Sequence, residues 1–419
     1  LERERRPFAL DGRAFVALLV AGMVVRIALT ATSIGSNDVL FETLWSNLIE
    51  KYGIAGAYAR QTLLSRTELK IAIFPPLCLA FFQGMLWIAR ATHSAYSDVL
   101  RHFQSVADLV TTLSLVGIGR VRGWKNPYAL ALFFFLSPAA IFISAFHCNM
   151  DSTMVAFTTI AALLMVLPEQ QEFASGLALA AATGIKILPL FLLPLFFLWS
   201  RRRARFVTGY SLAFFVIFLP AAWYGGSLVI NNLLGYSGYA GKWGLPAVLL
   251  ELEKLMGRPR QTPLYGVAYL YAIRGKFIVI AALLALYLSL WRRRAELLAS
   301  VSPFLALIPL VYLIVLFLAP GFGVQYLLWP IPLLPFALDR RLAIWANAAI
   351  SAYLFLTYTI WAEGFPWWYA DSTAPVPHKE MVILLGIPLW LFLGYAGWRG
   401  LQNLWSGWKV ESAAPASGA

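Results

Sequence analysis

Residues 15–31 read FVALLVAGMVVRIALTA. A run of this kind approaches the ~20 residues that carry an α-helix across a hydrocarbon core. Two more follow: FVTGYSLAFFVIFLPAAW at 206–223 and FLALIPLVYLIVLFLAP at 304–320. The chain has 419 residues, of which 60% are hydrophobic and 13% charged. An ordinary soluble domain carries about 25% charged residues, and a soluble interior of this size would be too small to bury all the apolar runs. The expected fold is therefore all-α: a polytopic integral membrane protein, forming one membrane domain over 1–410 with a polar tail at 411–419. No room is left for a separate soluble domain.

The formal net charge of +13 does not call for nucleic acid. The basic residues gather in short runs between apolar stretches, at Arg201–Arg205, Arg292–Arg294 and Arg340-Arg341. Short basic loops mark the cytoplasmic side of a membrane. No cleavable signal peptide is evident, and 14–33 reads as a retained first span. Cys78 and Cys148 are too few for a disulfide framework. One bond between them is possible on the outer side, but two buried thiols are expected.

Placing Arg3, Arg5, Arg6 and Arg13 inside puts Asp38 outside, at the exit of the first span. The next strongly basic short loop is Arg120–Lys125. If it too is inside, only one of the apolar candidates 71–91 and 101–119 crosses. Pro75-Pro76 marks 71–91 as the outer-side or re-entrant segment, because non-crossing backbone at membrane depth is tolerated where protein shields it. By the same parity, 127–146 goes out and 152–167 returns. The segment 173–200 is expected to be a hairpin of two short helices, broken at Gly184–Pro189. Crossings at 206–223, 276–291, 302–319, 324–338, 342–361 and 380–398, with the two short helices of the hairpin, bring the total to about twelve. Two outer loops are expected, at 34–100 and at 224–275, the second rich in Gly, Tyr and Trp.

Under this topology the unusual polar residues fall on one face: Asp38 and Glu42, then His147, Asn149 and Asp151 in FHCNMDS, Lys186 in the broken hairpin, and Gln325 and Tyr326 in GFGVQYLLWP. Arg101 and Asp108 sit in a predicted span, two helical turns apart on one face, where they are able to pair. Ionisable groups in a membrane are functional candidates by default. Each also has a plainer explanation. Asp38 suits a solvated loop, Asp151 a helix N-cap, Lys186 a snorkelling lysine, and Gln325 with Tyr326 an interfacial anchor. His147 suits a core hydrogen bond. Taken together they fit group transfer from a lipid phosphate to an alcohol, since a carboxylate accepts a proton from an attacking hydroxyl and a lysine or histidine steadies phosphate charge. No Walker motif, dinucleotide fingerprint, zinc motif or nucleophile elbow is visible.

In order along the chain, Asp38, Gly53 with Tyr58, Phe74-Pro75-Pro76-Leu77, Arg101 with Asp108, His147-Cys148-Asn149-Met150-Asp151, Lys186-Ile187-Leu188-Pro189 and Gln325-Tyr326-Leu327 resemble the C-type glycosyltransferase superfamily. Within it, the sequence resembles bacterial polyprenyl-phosphate-mannose-dependent mannosyltransferases. Cys148 and Asn149 stand where Gly and Gln are commoner, and Phe74 where Tyr is. The resemblance implies an inverting sugar transfer, mannose first, from a polyprenyl-phosphate donor to a lipid or glycan acceptor on the outer face. It implies Asp38 as general base. Lys186 and His147, with Arg101, would bind phosphate, while Asp151 and Glu42 orient hydroxyls. Gln325 and Tyr326 complete the expected substrate-binding set, and Tyr236, Tyr239 and Trp243 are candidates to stack on sugar. No cofactor is expected, and a metal at Asp38 and Asp151 is left open. The basic inner loops and low cysteine count fit a bacterial inner membrane. The competing reading is a polyprenyl-lipid flippase with the broken hairpin as its substrate site.

Overall fold

The structure is a computed structural model that describes residues 10–59, 74–235, 239–240, 242–257, 262–372 and 379–413. The described residues are all-α apart from four two-residue strands. In order, α1 (Gly12–Ala31) leads through β1 (Gly35–Ser36) into α2 (Asn37–Ala59), α3 (Pro76–Ala91), α4 (Tyr96–Val121) and α5 (Pro127–Phe135). A short helix, α6 (Pro138–Ile141), runs into a π-helical turn, Phe142–His147. Then come α7 (Asp151–Val166), α8 (Glu172–Ile185), a 3-10 turn at Leu188–Leu192, α9 (Leu193–Trp199) and α10 (Arg203–Gly235). The last part holds β2 (Tyr239–Ala240), α11 (Gly244–Leu255), α12 (Pro263–Arg292), α13 (Arg294–Ala299), α14 (Val301–Leu318), β3 (Gly321–Phe322), 3-10 turns, α15 (Leu334–Ala337), α16 (Arg340–Trp361), β4 (Tyr369–Ala370) and α17 (Lys379–Ala413).

Six of the described helices are long and apolar enough to cross a membrane, and the α5–α6 pair, bent by 50° and extended by the π-turn, makes a seventh if counted as one span. The expected count of about twelve is not reached by length and composition alone. The shortfall has two sources. Helix α4 has 26 residues, but it carries Arg101, Gln104, Ser105, Asp108, Thr111 and Thr112 on its buried face, which lowers its apolar character. Pro76–Ala91, Asp151–Val166, Glu172–Ile185, Leu188–Trp199 and Val324–Ala337 are apolar but only 10–17 residues long.

The chain breaks at Lys186, which is extended (φ −142°, ψ 140°) after α8. The amide of Arg201 donates to Gln170 Oε1 at 3.3 Å, and that of Arg202 to Glu172 Oε1 at 3.1 Å. The segment 172–199 thus returns to the level at which it began. Glycines let α8 lie directly on α10: a Cβ on Gly209 would stand 2.1 Å from the Phe173 carbonyl, and one on Gly176 2.4 Å from that of Phe206. Small residues permit backbones to touch in this way.

The expected outer loop 224–275 is instead largely helical. Helix α10 continues through a kink at Gly226 (φ 54°), and α11 and the start of α12 fill most of the rest. Trp243 does not face a ligand: it is buried, stacks on Phe322 at 4.0 Å and donates to the Leu316 carbonyl. Tyr236 and the start of 71–91 lie outside the described residues. The helix expected at 380–398 runs to Ala413, so the tail begins helically and 414–419 lie outside the described residues.

Asp108 pairs with Arg26 and not with Arg101. Arg26 Nη2 is 3.0 Å from Asp108 Oδ2, and both side chains are wholly buried. The guanidinium also donates to the carbonyls of Phe135 and Gly22 and lies 4.2 Å over the Phe135 ring. This one group ties α1, α4 and α5 together. Cys78 and Cys148 are buried free thiols.

Candidate active site

Two small strand pairs hold the site's loops. β1 lies parallel to β4, with Gly35 opposite Tyr369. β2 runs antiparallel to β3, with Tyr239 opposite Phe322. Ser36 Oγ donates to the His147 carbonyl at 3.0 Å and accepts from the Asp38 amide at 3.2 Å. The first turn of α2 is thereby fixed to the turn that follows the π-helix. Such π-turns recur at functional sites.

In that turn Cys148 adopts a left-handed conformation (φ 59°, ψ 52°). Glycine reaches this region without strain, which accounts for the commoner residue in the resembling sequences. The turn aims two side chains at Asp38. Asn149 Nδ2 donates to Asp38 Oδ2 at 2.8 Å, and His147 Nε2 is 3.2 Å from the same oxygen. Among the described residues no donor reaches Oδ1. His147 rests against the Tyr358 ring, with centroids 5.6 Å apart.

Asp151 begins α7 and is fully buried. Lys186 Nζ is 2.6 Å from its Oδ2, and Trp329 Nε1 donates to its Oδ1 at 2.5 Å. The Lys186 ammonium also lies 5.3 Å from the Tyr326 ring centre, and Tyr326 stacks on Trp329. The break in the hairpin is thus locked to α7 and to the 3-10 turn after β3.

A cavity of about 450 Å³ opens beside these groups. Asp38 and His147 line it together with Gln325, Lys242, Lys254, Trp361 and Glu380. Asp38 is a quarter exposed, enough to meet a ligand. Burial pushes the Asp38 carboxyl up, but His147, Asn149 and Lys186 together outweigh it and hold the group below the ordinary carboxylate range. Glu42, one turn further along α2, is fully buried, and neither of its carboxyl oxygens has a hydrogen-bond partner among the described residues. Burial drives its pKa well above the usual value, with Asp38 reinforcing, Lys186 opposing and Asp151 reinforcing. The two carboxyls of α2 are thus shifted in opposite senses. Among the described residues no three His, Cys, Asp or Glu side chains group as metal ligands.

Of the residues singled out from sequence, Asp38, His147 and Asn149 come together directly. Asp151, Lys186 and Tyr326 form a second knot, and Gln325 lines the cavity. Arg101 stands apart: it is buried, bonded to the Ser33 carbonyl at 2.9 Å and paired with Asp98 at 2.8 Å, and does not line the cavity. Its bonds brace the end of α1 before Gly35.

The sequence profile of glycosyltransferase family 87 matches residues 73–319, more than half of the chain. The chain belongs to glycosyltransferase family 87. Comparison with curated proteins returned no match. This family is of the C type, so the protein is a membrane glycosyltransferase that takes a sugar donor and an acceptor. Within the family 87 match lie His147, Asn149, Asp151 and Lys186; Asp38 and Glu42 precede it, and Gln325 and Tyr326 follow it. Trp329, Tyr358 and Ser36 were missed from sequence. Trp329 lies in the quoted GFGVQYLLWP, but nothing local distinguishes its indole from a core or interfacial one. Arg26 was missed too, although an arginine in mid-span is itself a signal.

Proposed function

We propose that this chain transfers a sugar, mannose in the first instance, from a polyprenyl-phosphate donor to an acceptor hydroxyl with inversion. Asp38 accepts the hydroxyl proton. The acceptor oxygen attacks the anomeric carbon from the face opposite the phosphate. The bond from that carbon to the phosphate oxygen breaks, and polyprenyl phosphate departs with the electron pair. Asp38 then releases its proton to water. The observation that carries this reading is the placement of Asp38: it lines the cavity, and only one of its two oxygens is engaged by described residues. A general base needs a free acceptor and an orienting partner, and Asn149 and His147 supply the second.

Lys186 supplies the positive charge for the leaving phosphate. An ammonium has three donors; Asp151 takes one, which leaves two for phosphate oxygens. Asp151 and Tyr326 hold that ammonium in place, Gln325 meets sugar or acceptor hydroxyls from the cavity wall, and Glu42, buried behind that wall, supports the site through α2 without touching the ligand. In this account Arg101 serves the donor side only indirectly, by bracing the loop that carries Asp38. We further propose that the short apolar helices join the longer ones in about twelve crossings, and that the cavity opens on the outer, periplasmic face of a bacterial inner membrane. This orientation follows from the basic loops.

The test is transfer by purified protein in lipid from radiolabelled polyprenyl-phosphate mannose, and from the glucose analogue, with the anomeric configuration of the product read by NMR. Transfer from the mannosyl donor with inversion is expected. A product retaining the donor's configuration would refute single displacement. Movement of the intact donor across the bilayer without transfer would favour a flippase.

A further inference from the structure

The opposite end of the hairpin carries a cluster of donors that the sugar-transfer site does not use. The turn from α9 into α10 reads Trp199-Ser200-Arg201-Arg202-Arg203. Trp199 is 3% exposed and Ser200 wholly buried. Trp199 Nε1, Ser200 Oγ, Arg203 Nε and Arg203 Nη2 are all inaccessible, and none has a hydrogen-bond partner among the described residues. Four donor atoms, from three side chains, crowd one five-residue turn, and none of the four meets an acceptor among the described residues.

The Arg203 guanidinium is not loose. It lies 5.1 Å from the Phe197 ring centre and 5.4 Å from that of Trp291, at the end of α12. Arg294 reaches the same turn, its Nε 3.5 Å from the Leu198 carbonyl, and stands near enough for its charge to act on Arg203. Of the carboxylates nearby, Glu172 accepts from the Arg202 amide, and Glu296 lies 2.7 Å from Arg293 as a charge pair, although its Oε2 makes no hydrogen bond among the described residues. A buried donor without an acceptor costs stability, more so when it is charged. Orphaned donors of Trp199, Ser200 and Arg203 beside a second guanidinium, Arg294, ask for an anion.

We propose that the 199–203 turn and Arg294 form a binding site for the phosphate of an anionic phospholipid headgroup. Phosphate offers several acceptor oxygens to planar guanidinium donors, and basic pockets between membrane helices take such headgroups. The lipid origin of the phosphate is argued from what adjoins the turn. Leu288 and Trp291 on α12 and Val207 on α10 are 63%, 53% and 42% exposed, and both helices are span candidates. They offer an apolar wall for acyl chains beside the basic turn. The site is independent of the sugar-transfer reading, since it shares no residue with the cavity around Asp38.

The experiment measures thermal unfolding of the purified full chain in mixed micelles titrated with phosphatidylglycerol, with phosphatidylcholine, or with inorganic phosphate. Phosphatidylglycerol should raise the midpoint saturably, while the other two should not. Arg203→Gln should weaken the apparent phosphatidylglycerol affinity about tenfold, the worth of a charge-assisted buried bond. Arg205→Gln, an exposed charge in the same basic run, should change it less than about twofold. Equal weakening by Arg205→Gln would mean diffuse surface charge and overturn the proposal. An equal response to inorganic phosphate would overturn the lipid assignment. If Arg203→Gln does not fold, Trp199→Phe removes the indole donor while keeping an aromatic ring; unchanged affinity in both that variant and Arg294→Gln would exclude the site.

Discussion

Replacing Arg26 by methionine removes the cation from a fully buried pair. Asp108 Oδ2 accepts from Arg26 Nη2 at 3.0 Å and Nε at 3.3 Å, and its Oδ1 has no partner among the described residues. The carboxylate would be stranded in an apolar bundle. Removing one member of such a pair costs about 3–5 kcal/mol. Asp108→Leu strands the guanidinium instead, but Arg26 keeps its bonds to the Phe135 and Gly22 carbonyls, so its cost should fall near the lower end, about 3 kcal/mol. The double variant Arg26→Met/Asp108→Leu removes both charges and should lie within about 2 kcal/mol of wild type. The cycle therefore predicts a strongly non-additive coupling. Equilibrium unfolding in mixed micelles with a denaturing detergent measures all four proteins. A single-variant cost below about 1 kcal/mol, or additive singles, would refute the claim that this pair binds α1 to α4.

Other consequences are equally direct. Cys148 is left-handed, so Cys148→Gly should leave thermal stability unchanged or higher, whereas Cys148→Val should lose at least about 1–2 kcal/mol and, by shifting Asn149, also slow transfer. Glu42→Gln should match wild-type stability below about pH 4 and exceed it near neutral pH. The raised Glu42 pKa means that the folded state holds a proton the unfolded chain gives up, so wild-type stability should decline as pH rises above about 4.3, and the variant should lack that slope. Asp38 titrates in the other sense. With its pKa held low it remains ionised at neutral pH, and base catalysis by Asp38 should fade only as pH drops below about 3.9. Asn149→Ala removes one stabilising donor and should move that acidic limb to higher pH.

The membrane class was legible because it depends on run length and composition, which need no tertiary knowledge. The hairpin at 172–199 was legible for a related reason: Pro189 and Lys186 cannot continue a buried helix, and the charges at both ends fix its parity. The crossing count was less so, because a span inside a bundle is freed from the hydropathy that marks a lipid-facing one. Helix α4, with its stripe of buried polar residues, shows this. Asp108 also shows where one-dimensional reasoning stops. Arg101 is the nearest cation on its own helix face, but the tertiary fold brings Arg26 from 82 residues away. Asp38, His147 and Asn149 could be nominated from their placement at helix ends. Their convergence on one carboxylate oxygen depends on Ser36 and on the left-handed residue 148, which sequence alone did not reveal. Trp329 and Tyr358 were unreadable as site residues because an indole or phenol in an apolar run has the same local appearance wherever it points.

The central claim is that Asp38 is the base. Its most direct test is single-turnover sugar transfer by Asp38→Asn in lipid, measured beside binding of polyprenyl phosphate to the same preparation. Asparagine keeps the shape and the contact to Asn149 within reach but cannot take a proton. The account predicts that transfer falls by about a hundredfold or more, in the range general-base removal gives, while polyprenyl phosphate binds within about threefold of wild type, a change well under 1 kcal/mol. Transfer near the wild-type rate in that folded variant would contradict the account and move the base to another group.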